Sequence, residues 1–289
     1  MRNGLRFALI GEDVGYSKSP AIFAAIFKQL GKEGEFDIAH VQSAQLQSSL
    51  KQLVLEGYRG FSVTIPHKQT ILSSLDDVDP VAQRTEAVNC VVVDDHHLFG
   101  YNTDAYGFSY PLILDNRKSI GEHVLIAGCG GAARAVAHSL YADFGVRRMT
   151  ILGRSPQRTE HCCHGLESKY EKLNVSSRLM SDSAPAESFE YDAVVNCTPL
   201  GGFTFPDRSP FGPCIPLNKN GMYFDLNYNV GNKLVCSARI QGAYALDGSR
   251  MLVAQAIRAF KIWTSVDVSF DSIYSAVFGN SITQPMTHE

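Results

Sequence analysis

Short apolar runs alternate with amphipathic stretches along the first third of the chain. Apolar or alternating runs that end at a charge or a proline are typical of strands, and apolar positions three or four residues apart are typical of helices. Ser19 and Pro20 predict the start of the first helix, as its N-cap and its first residue. Together these patterns predict strands at 5–10, 35–40 and 61–65, and helices at 20–30 and along Leu46, Leu50, Leu53 and Val54. The order β-α-β-α-β favours a mostly parallel sheet with helical crossovers.

The alternation continues through the rest of the chain. Strands at 88–93 and 98–101 flank the polar residues 94–97 and are predicted to form a hairpin at the end of the first sheet. A helix at 104–114 then leads into a second β-α pattern, with strands at 124–127, 149–152, 193–195, 223–224 and 242–246 and a helix at 132–144. A last helix at 251–264 is expected to return to the first domain. The predicted fold class is therefore α/β, in two domains.

Composition narrows the classes of function. A length of 289 residues suits two domains, and a net charge of −3 argues against nucleic acid or a membrane surface as a partner. The first apolar run is too short for a signal peptide, so a cytoplasmic location is expected. Seven cysteines without a Cys-x-x-Cys pair fit reduced thiols. The run His161-Cys162-Cys163-His164 offers too few ligands, so no metal is expected.

A glycine-rich segment predicts a nucleotide site. Residues 128–133 read Gly-Cys-Gly-Gly-Ala-Ala, which fits G-x-G-x-x-A directly after a predicted strand and directly before a predicted helix. Such glycines let the backbone approach a pyrophosphate, which the helix N-terminus attracts. The next strand ends in Gly153-Arg154-Ser155 instead of the acidic residue that usually holds the ribose of NAD. Arg154 and Arg158 can hold a 2′-phosphate, so NADP(H) is the predicted cofactor.

A lysine and an aspartate in the first domain form a candidate acid–base pair. Lys68 follows the strand that Pro66 ends, and Asp104 stands at another strand-to-helix junction. Open α/β sheets bind ligands at such junctions, and a carboxylate there can orient a lysine that transfers a proton. A surface salt bridge is the alternative explanation of the same spacing.

The chain as a whole, these sites included, resembles the shikimate dehydrogenase family nearly from end to end. The resemblance lies in several motifs that stand in the family's order: GYSKSP at 15–20, VTIPHK at 63–68, AVN at 87–89, NTD at 102–104, NCTPLG at 196–201, DLNYN at 225–229, and DG at 247–248 with Met251, Leu252 and Gln255.

This resemblance implies the domain organisation and the site. It implies a mostly parallel substrate domain of residues 1–104 plus 247–289, a Rossmann-like, doubly wound NADP-binding domain of residues 105–246, and a cleft between them. Lys68 and Asp104 would be the catalytic pair. The substrate would be bound by Ser17, Ser19, Ser62, Thr64, Asn89, Tyr228 and Gln255. NADP(H) would be bound by Gly128, Gly130, Gly131, Ala132, Ala133, Gly153, Arg154, Ser155, Arg158, Asn196, Thr198 and Gly248.

Several positions depart from the family's commonest pattern without removing a catalytic group, and three of them bear on the predicted site. Ser62 stands in place of Asn, Gly153 in place of Asn, and Gly202 in place of Met. The implied reaction is the reversible NADP-dependent reduction of 3-dehydroshikimate to shikimate, in aromatic amino acid biosynthesis, by a monomer or homodimer. Alternatives are an NAD(P)-dependent quinate/shikimate or aminoshikimate dehydrogenase, a folate-linked dehydrogenase of similar architecture, and a non-catalytic shikimate/NADP-binding sensor.

Overall fold

The computed structural model describes residues 4–181 and 191–279, which fall into two compact units. Among these residues, the first unit comprises those up to Phe108 together with those from Leu252 onwards, and the second comprises the described part of Ser109–Met251. The predicted domain limits at 104 and 247 lie close to these positions; residues 1–3, 182–190 and 280–289 of the predicted domains lie outside the described part of the chain.

The first unit is built around a six-stranded mixed sheet. Its elements up to the second unit are β1 (Leu5–Gly11), α1 (Ser19–Leu30), β2 (Gly34–His40), α2 (Leu46–Leu55), β3 (Gly60–Val63), α3 (His67–Thr70), β4 (Asp77–Val78), α4 (Pro80–Thr85), β5 (Cys90–Asp94), β6 (His97–Tyr101) and α5 (Asp104–Leu114). The strand order is β2-β1-β3-β5-β6-β4. β1 pairs in parallel with β2 and β3, as the sequence predicts, whereas β5 runs antiparallel to both of its neighbours.

The second unit holds a six-stranded, fully parallel sheet. Its elements are β7 (His123–Ala127), α6 (Gly131–Ala142), β8 (Arg148–Gly153), α7 (Pro156–Glu167), β9 (Asn174–Leu179), β10 (Tyr191–Asn196), β11 (Leu217–Asp225), α8 (Lys233–Ile240) and β12 (Tyr244–Leu246). The strand order is β12-β11-β10-β7-β8-β9. From β7 the chain adds β8 and β9 on one side of the sheet and then β10, β11 and β12 on the other. Helices on both faces of such a sheet make it the doubly wound arrangement.

Two C-terminal helices, α9 (Ser249–Thr264) and α10 (Phe270–Phe278), complete the first unit. Trp263 on α9 stacks on Phe7 of β1 with 4.5 Å between the ring centroids, and its indole donates to the carbonyl of Val91 at 2.8 Å. Phe23 and Phe260 are fully buried in the same cluster. The core of the first unit is therefore closed by residues from both ends of the chain.

The structure corrects several local predictions. Ser19 is the first residue of α1 and Lys18 precedes it as the N-cap, so Ser19 does not cap the helix. The hairpin turn contains only Asp95 and His96, both with positive φ, and β4 pairs outside β6, so the hairpin does not end the sheet. Strands β4 and β9 and helices α3, α4, α8 and α10 were not predicted. Among the described residues, no helix is both long and apolar enough to span a membrane.

Candidate active site

Lys68 and Asp104 form a close ion pair in the first unit. Lys68 lies on the short helix α3, directly after β3, and Asp104 is the first residue of α5. The Lys68 Nζ donates to the Asp104 Oδ2 at 2.5 Å. Their side chains are only 14% and 6% exposed, so the pair is shielded from water far more than an ordinary surface salt bridge. The contact itself is the one that spacing predicts; its catalytic role stays a prediction here.

Asn89 connects this pair to other predicted substrate residues. Its Nδ2 donates to the second oxygen of Asp104 at 2.9 Å and lies 3.2 Å from the Oε1 of Gln255. Its Oδ1 accepts the backbone N–H of Thr103 at 2.6 Å. Asp104 is thereby held through both carboxylate oxygens, one by Lys68 and one by Asn89. The structure brings four predicted site residues into one hydrogen-bonded cluster.

Thr103 belongs to this cluster although the sequence interpretation gave it no role. Its hydroxyl lies 2.9 Å from Nδ2 of Asn89 and 3.4 Å from Oε1 of Gln255. It is 1% exposed, and neighbouring Asn102 is 6% exposed. The signal was present in the NTD motif, in which only the aspartate received a function.

The predicted serines and Thr64 lie on two other segments of the first unit. The Ser17 hydroxyl donates to the Ser19 hydroxyl at 3.1 Å at the start of α1. Ser62 is 7% exposed within β3, and Thr64 is the residue directly after that strand. Tyr228, predicted to share a ligand with the serines, belongs to the second unit.

The glycine loop of the second unit fits a dinucleotide. Gly128 has a φ of +111°, which an L side chain rarely adopts, and a Cβ added at Gly130 would meet nothing within 4 Å. Helix α6 starts at Gly131 with no side chain capping its N-terminus. Its first N–H groups are therefore available to a phosphate, and the open space at Gly130 leaves room for one.

The end of β8 explains one departure from the family pattern. A Cβ added at Gly153 would stand 1.9 Å from Oγ1 of Thr159, which is fully buried and donates to the carbonyl of Ser155 at 2.7 Å. The side chain of Thr159 fills the space that a residue larger than glycine needs. Arg154 and Arg158 are exposed and make no ion pair with any residue in 4–181 or 191–279. Both guanidinium groups are therefore accessible to an anion.

The carboxyl ends of β10 and β11 hold predicted and unpredicted polar residues. Asn196, at the end of β10, accepts the backbone N–H and the hydroxyl of Thr198 at 3.0 and 2.7 Å. Asp225, opposite it on β11, is fully buried. Burial raises the pKa of the Asp225 carboxyl, and the hydrogen bonds that it accepts oppose that rise. The sequence interpretation assigned nothing to Asp225, although it starts the DLNYN motif.

Gly202 also has a structural explanation. A Cβ added there would stand 2.2 Å from Oδ1 of Asn227. Gly248 is similarly confined, because its Cβ would stand 2.1 Å from the carbonyl oxygen of Leu226. At both places the absence of a side chain lets two segments of the second unit lie against each other.

Known proteins are similar to the chain in both sequence and fold. Residues 9–91 match the family described as "Shikimate dehydrogenase substrate binding domain", and residues 248–278 match "Shikimate 5'-dehydrogenase C-terminal domain". Among solved structures, shikimate 5-dehydrogenase from Thermus thermophilus in complex with NADP(H) and shikimate has a TM-score of 0.81 at 31% identity, with 94% of this chain and 98% of that chain covered. Quinate dehydrogenase from Corynebacterium glutamicum in complex with NAD has a TM-score of 0.83 at 26% identity, with 94% and 98% covered.

Curated relatives extend over most of the chain. "Shikimate dehydrogenase (NADP(+))" of Clostridium botulinum (strain 657 / Type Ba4) is 34% identical, with 88% of this chain and 95% of the relative covered. The enzyme of the same name from Bacillus cereus (strain B4264) is 33% identical, with 89% and 92% covered. Similarity of this extent, on a matching two-unit α/β fold, means that the chain belongs to the shikimate dehydrogenase family.

Proposed function

We propose that the protein catalyses the reversible, NADP-dependent reduction of 3-dehydroshikimate to shikimate. The observation that carries this proposal is the shielded pair of Lys68 and Asp104, within a cluster that includes Asn89 and Gln255. The relatives named shikimate dehydrogenase (NADP(+)) supply the substrate and the cofactor of the proposal.

The chemistry requires a proton for the carbonyl oxygen. NADPH, when bound, supplies the hydride that reduces the ring carbonyl. Lys68 donates the proton that converts this oxygen into a hydroxyl, and its positive charge stabilises the negative charge that develops there. Asp104 holds the ammonium in place through the 2.5 Å contact, and Asn89 in turn fixes Asp104. In the oxidative direction Lys68 accepts the same proton.

The substrate residues in this proposal follow the family motifs. Ser17, Ser19 and Tyr228 hold the carboxylate, for which hydroxyl donors are suited. The ring oxygens are bound by Thr64, Asn89 and Gln255, with Ser62 close to them in place of asparagine. In this organisation residues 1–104 plus 247–289 form the substrate domain, and residues 105–246 form the NADP-binding domain.

The cofactor residues are supported by the glycine loop and the exposed arginines. The N-terminus of α6, which has no side-chain cap, and the loop that begins at Gly128 would hold the pyrophosphate. Arg154, Ser155 and Arg158 bind the 2′-phosphate, because no acidic side chain stands at the end of β8 to repel it. Thr198 lies in the loop that follows β10.

A second candidate function is quinate oxidation with NAD, which the likeness to the Corynebacterium quinate dehydrogenase favours. Initial rates of nicotinamide reduction, measured by absorbance with shikimate or quinate and with NADP or NAD, separate the two. We expect shikimate with NADP to give the highest kcat/KM. A higher value with quinate would refute the proposed substrate, and binding of shikimate without any turnover would indicate a sensor instead of an enzyme.

A further inference from the structure

Two loops of the second unit lie side by side at the carboxyl ends of β10 and β11. The two strands pair in parallel with Asn196 opposite Asp225, so the segments that follow them start next to each other. The cofactor loop, residues 198–202, contains Thr198. The tyrosine loop, residues 226–229, contains Tyr228. The proposed function assigns the first loop to NADP and the second to the substrate carboxylate.

Asp225 receives four hydrogen bonds between these loops. Its Oδ1 accepts the backbone N–H and the Nδ2 of Asn227 at 2.9 and 2.7 Å. Its Oδ2 accepts from the hydroxyl of Tyr223 at 2.8 Å and from the Nδ2 of Asn196 at 3.1 Å. A buried carboxylate is expensive to desolvate, and stability alone is served as well by apolar residues of similar volume. Its convergent contacts instead specify one arrangement of the groups around it.

Asn227 extends this network from one loop to the other. Its Nδ2 lies 3.0 Å from the carbonyl oxygen of Thr198 and 3.3 Å from that of Leu200, besides the contact with Asp225. Its Oδ1 lies where a side chain at Gly202 would begin. The amide of Asn227 therefore occupies the boundary between the loops and is oriented by the carboxylate behind it.

Two further contacts join the same loops. The Nδ2 of Asn229 donates to the carbonyl oxygen of Gly201 at 3.1 Å. The ring of Phe203, just after the cofactor loop, packs edge-to-face on Tyr228 with 5.6 Å between centroids. This geometry is favourable for aromatic pairs and sets the orientation of the tyrosine ring.

We propose that Asp225 and Asn227 are positioning residues that couple cofactor binding to substrate binding. When the nucleotide contacts Thr198 it restricts the cofactor loop, and the bridge through Asn227 transmits that restriction to the loop of Tyr228. The loop of Tyr228 is then already ordered when the substrate carboxylate binds. Binding therefore costs less conformational entropy, and the affinity for the substrate is higher. This inference rests on the proposed function, which gives the two loops their ligands.

The opposite end of the same strands contains a matched pair. Asp192, near the start of β10, accepts the backbone N–H groups of Glu122 and His123 at 2.8 and 3.0 Å and the Nδ2 of Asn218 at 3.0 Å. Asn218 is half-buried on β11, as Asn227 is half-buried just after it. This pair has similar chemistry at the amino ends of the strands, away from the edge at which α/β sheets bind ligands.

Shikimate binding with and without saturating NADPH tests the coupling, because these two reduced molecules form a complex that cannot react. We expect the wild-type affinity for shikimate to rise about 10-fold with NADPH, within the usual range for linked sites. In Asn227→Ala we expect that ratio to fall to near 1 and the shikimate KM to rise about 10-fold, with kcat changed less than the KM. Asn218→Ala is expected to keep the wild-type ratio while losing about as much thermal stability as Asn227→Ala.

The outcomes separate the two proposals. A wild-type protein that does not oxidise shikimate with NADP refutes the proposed function, whatever the variants do. An active wild-type protein without coupling, or an Asn227→Ala variant with the wild-type ratio, refutes the positioning role. Asp225→Asn supplies a second variant, because its amide places a donor against the donors of Asn196 or Asn227. If it folds, its ratio is expected to fall as in Asn227→Ala, and an unchanged ratio would equally contradict the inference.

Discussion

Replacing Gly153 with alanine tests whether Thr159 determines the residue at this position. The added methyl would stand 1.9 Å from Oγ1 of Thr159 and 3.0 Å from its Cβ. Thr159 is fully buried, and its hydroxyl donates to the carbonyl of Ser155. Overpacking of a buried site costs about 1–3 kcal/mol, and breaking the hydroxyl contact adds roughly 0.5–1.5 kcal/mol. We therefore expect Gly153→Ala to lose about 2–4 kcal/mol of unfolding free energy.

A second substitution shows whether the collision is the cause. Thr159→Ala removes Oγ1, the nearest atom, so Gly153→Ala/Thr159→Ala is expected to regain about 1–3 kcal/mol relative to the sum of the single changes. Thr159→Ser keeps Oγ1 and is expected to restore little. Urea unfolding followed by circular dichroism gives these free energies, since the one tryptophan lies in the other unit. Equal rescue by serine and alanine, or additive single changes, would show that the contact with Thr159 does not select glycine.

The remaining predictions concern the proposed roles of Lys68 and Arg154, and stability in acid. Lys68→Ala is expected to lower kcat by about 10²- to 10⁴-fold in steady-state assays while shikimate affinity is mostly kept, and near-normal turnover would exclude the proton donor. Arg154→Ala is expected to raise the KM for NADPH about 10- to 100-fold and to leave that for NADH unchanged; equal losses would exclude a 2′-phosphate contact. Burial raises the pKa of the Asp115 carboxyl, but hydrogen bonds from Arg250 and Tyr244 outweigh this and hold the pKa below its usual value. The stability that ionised Asp115 contributes is thus present above its unfolded pKa and lost as pH falls through the lower, folded one. Urea unfolding of Asp115→Asn should show a deficit at neutral pH that shrinks in acid, and a constant deficit would contradict this.

The elements that could be predicted from the sequence are those with a distinct local pattern of apolar, polar and glycine residues. Strand β7, the glycine loop and helix α6 follow from a buried run, three glycines and an amphipathic stretch, because the pattern that identifies each of them is complete within a short segment of the chain. Strand β9 was missed because its sequence carries no such local pattern. It is an edge strand whose only buried residue is Val175, so it has no apolar run by which to recognise it.

The cluster around Lys68 and Asp104 was predictable only in part. The lysine and the aspartate could be proposed from their positions after strands, but the contact between them depends on how β3 and β6 are arranged. Asn89 and Gln255 are 166 positions apart in sequence, and only the fold places their amides 3.2 Å from each other. The departures at Gly153 and Gly202 are similar. Each glycine is explained by a side chain elsewhere, Thr159 or Asn227, that no local pattern connects to it.

The closure of the first core by Trp263 has a consequence for the order in which a newly made chain can fold. The described residues of the second unit all lie within the single segment Ser109–Met251, whereas the first unit takes its residues from both sides of that segment. Phe7 is synthesised before Ser109–Met251, but its stacking partner Trp263 emerges only after that segment. Until then the aromatic side of β1 and α1 has no cover, which is the kind of surface that chaperones bind. The second unit can therefore fold first on the ribosome. Tryptophan fluorescence would then report the last step, in which α9 and α10 dock on the first unit.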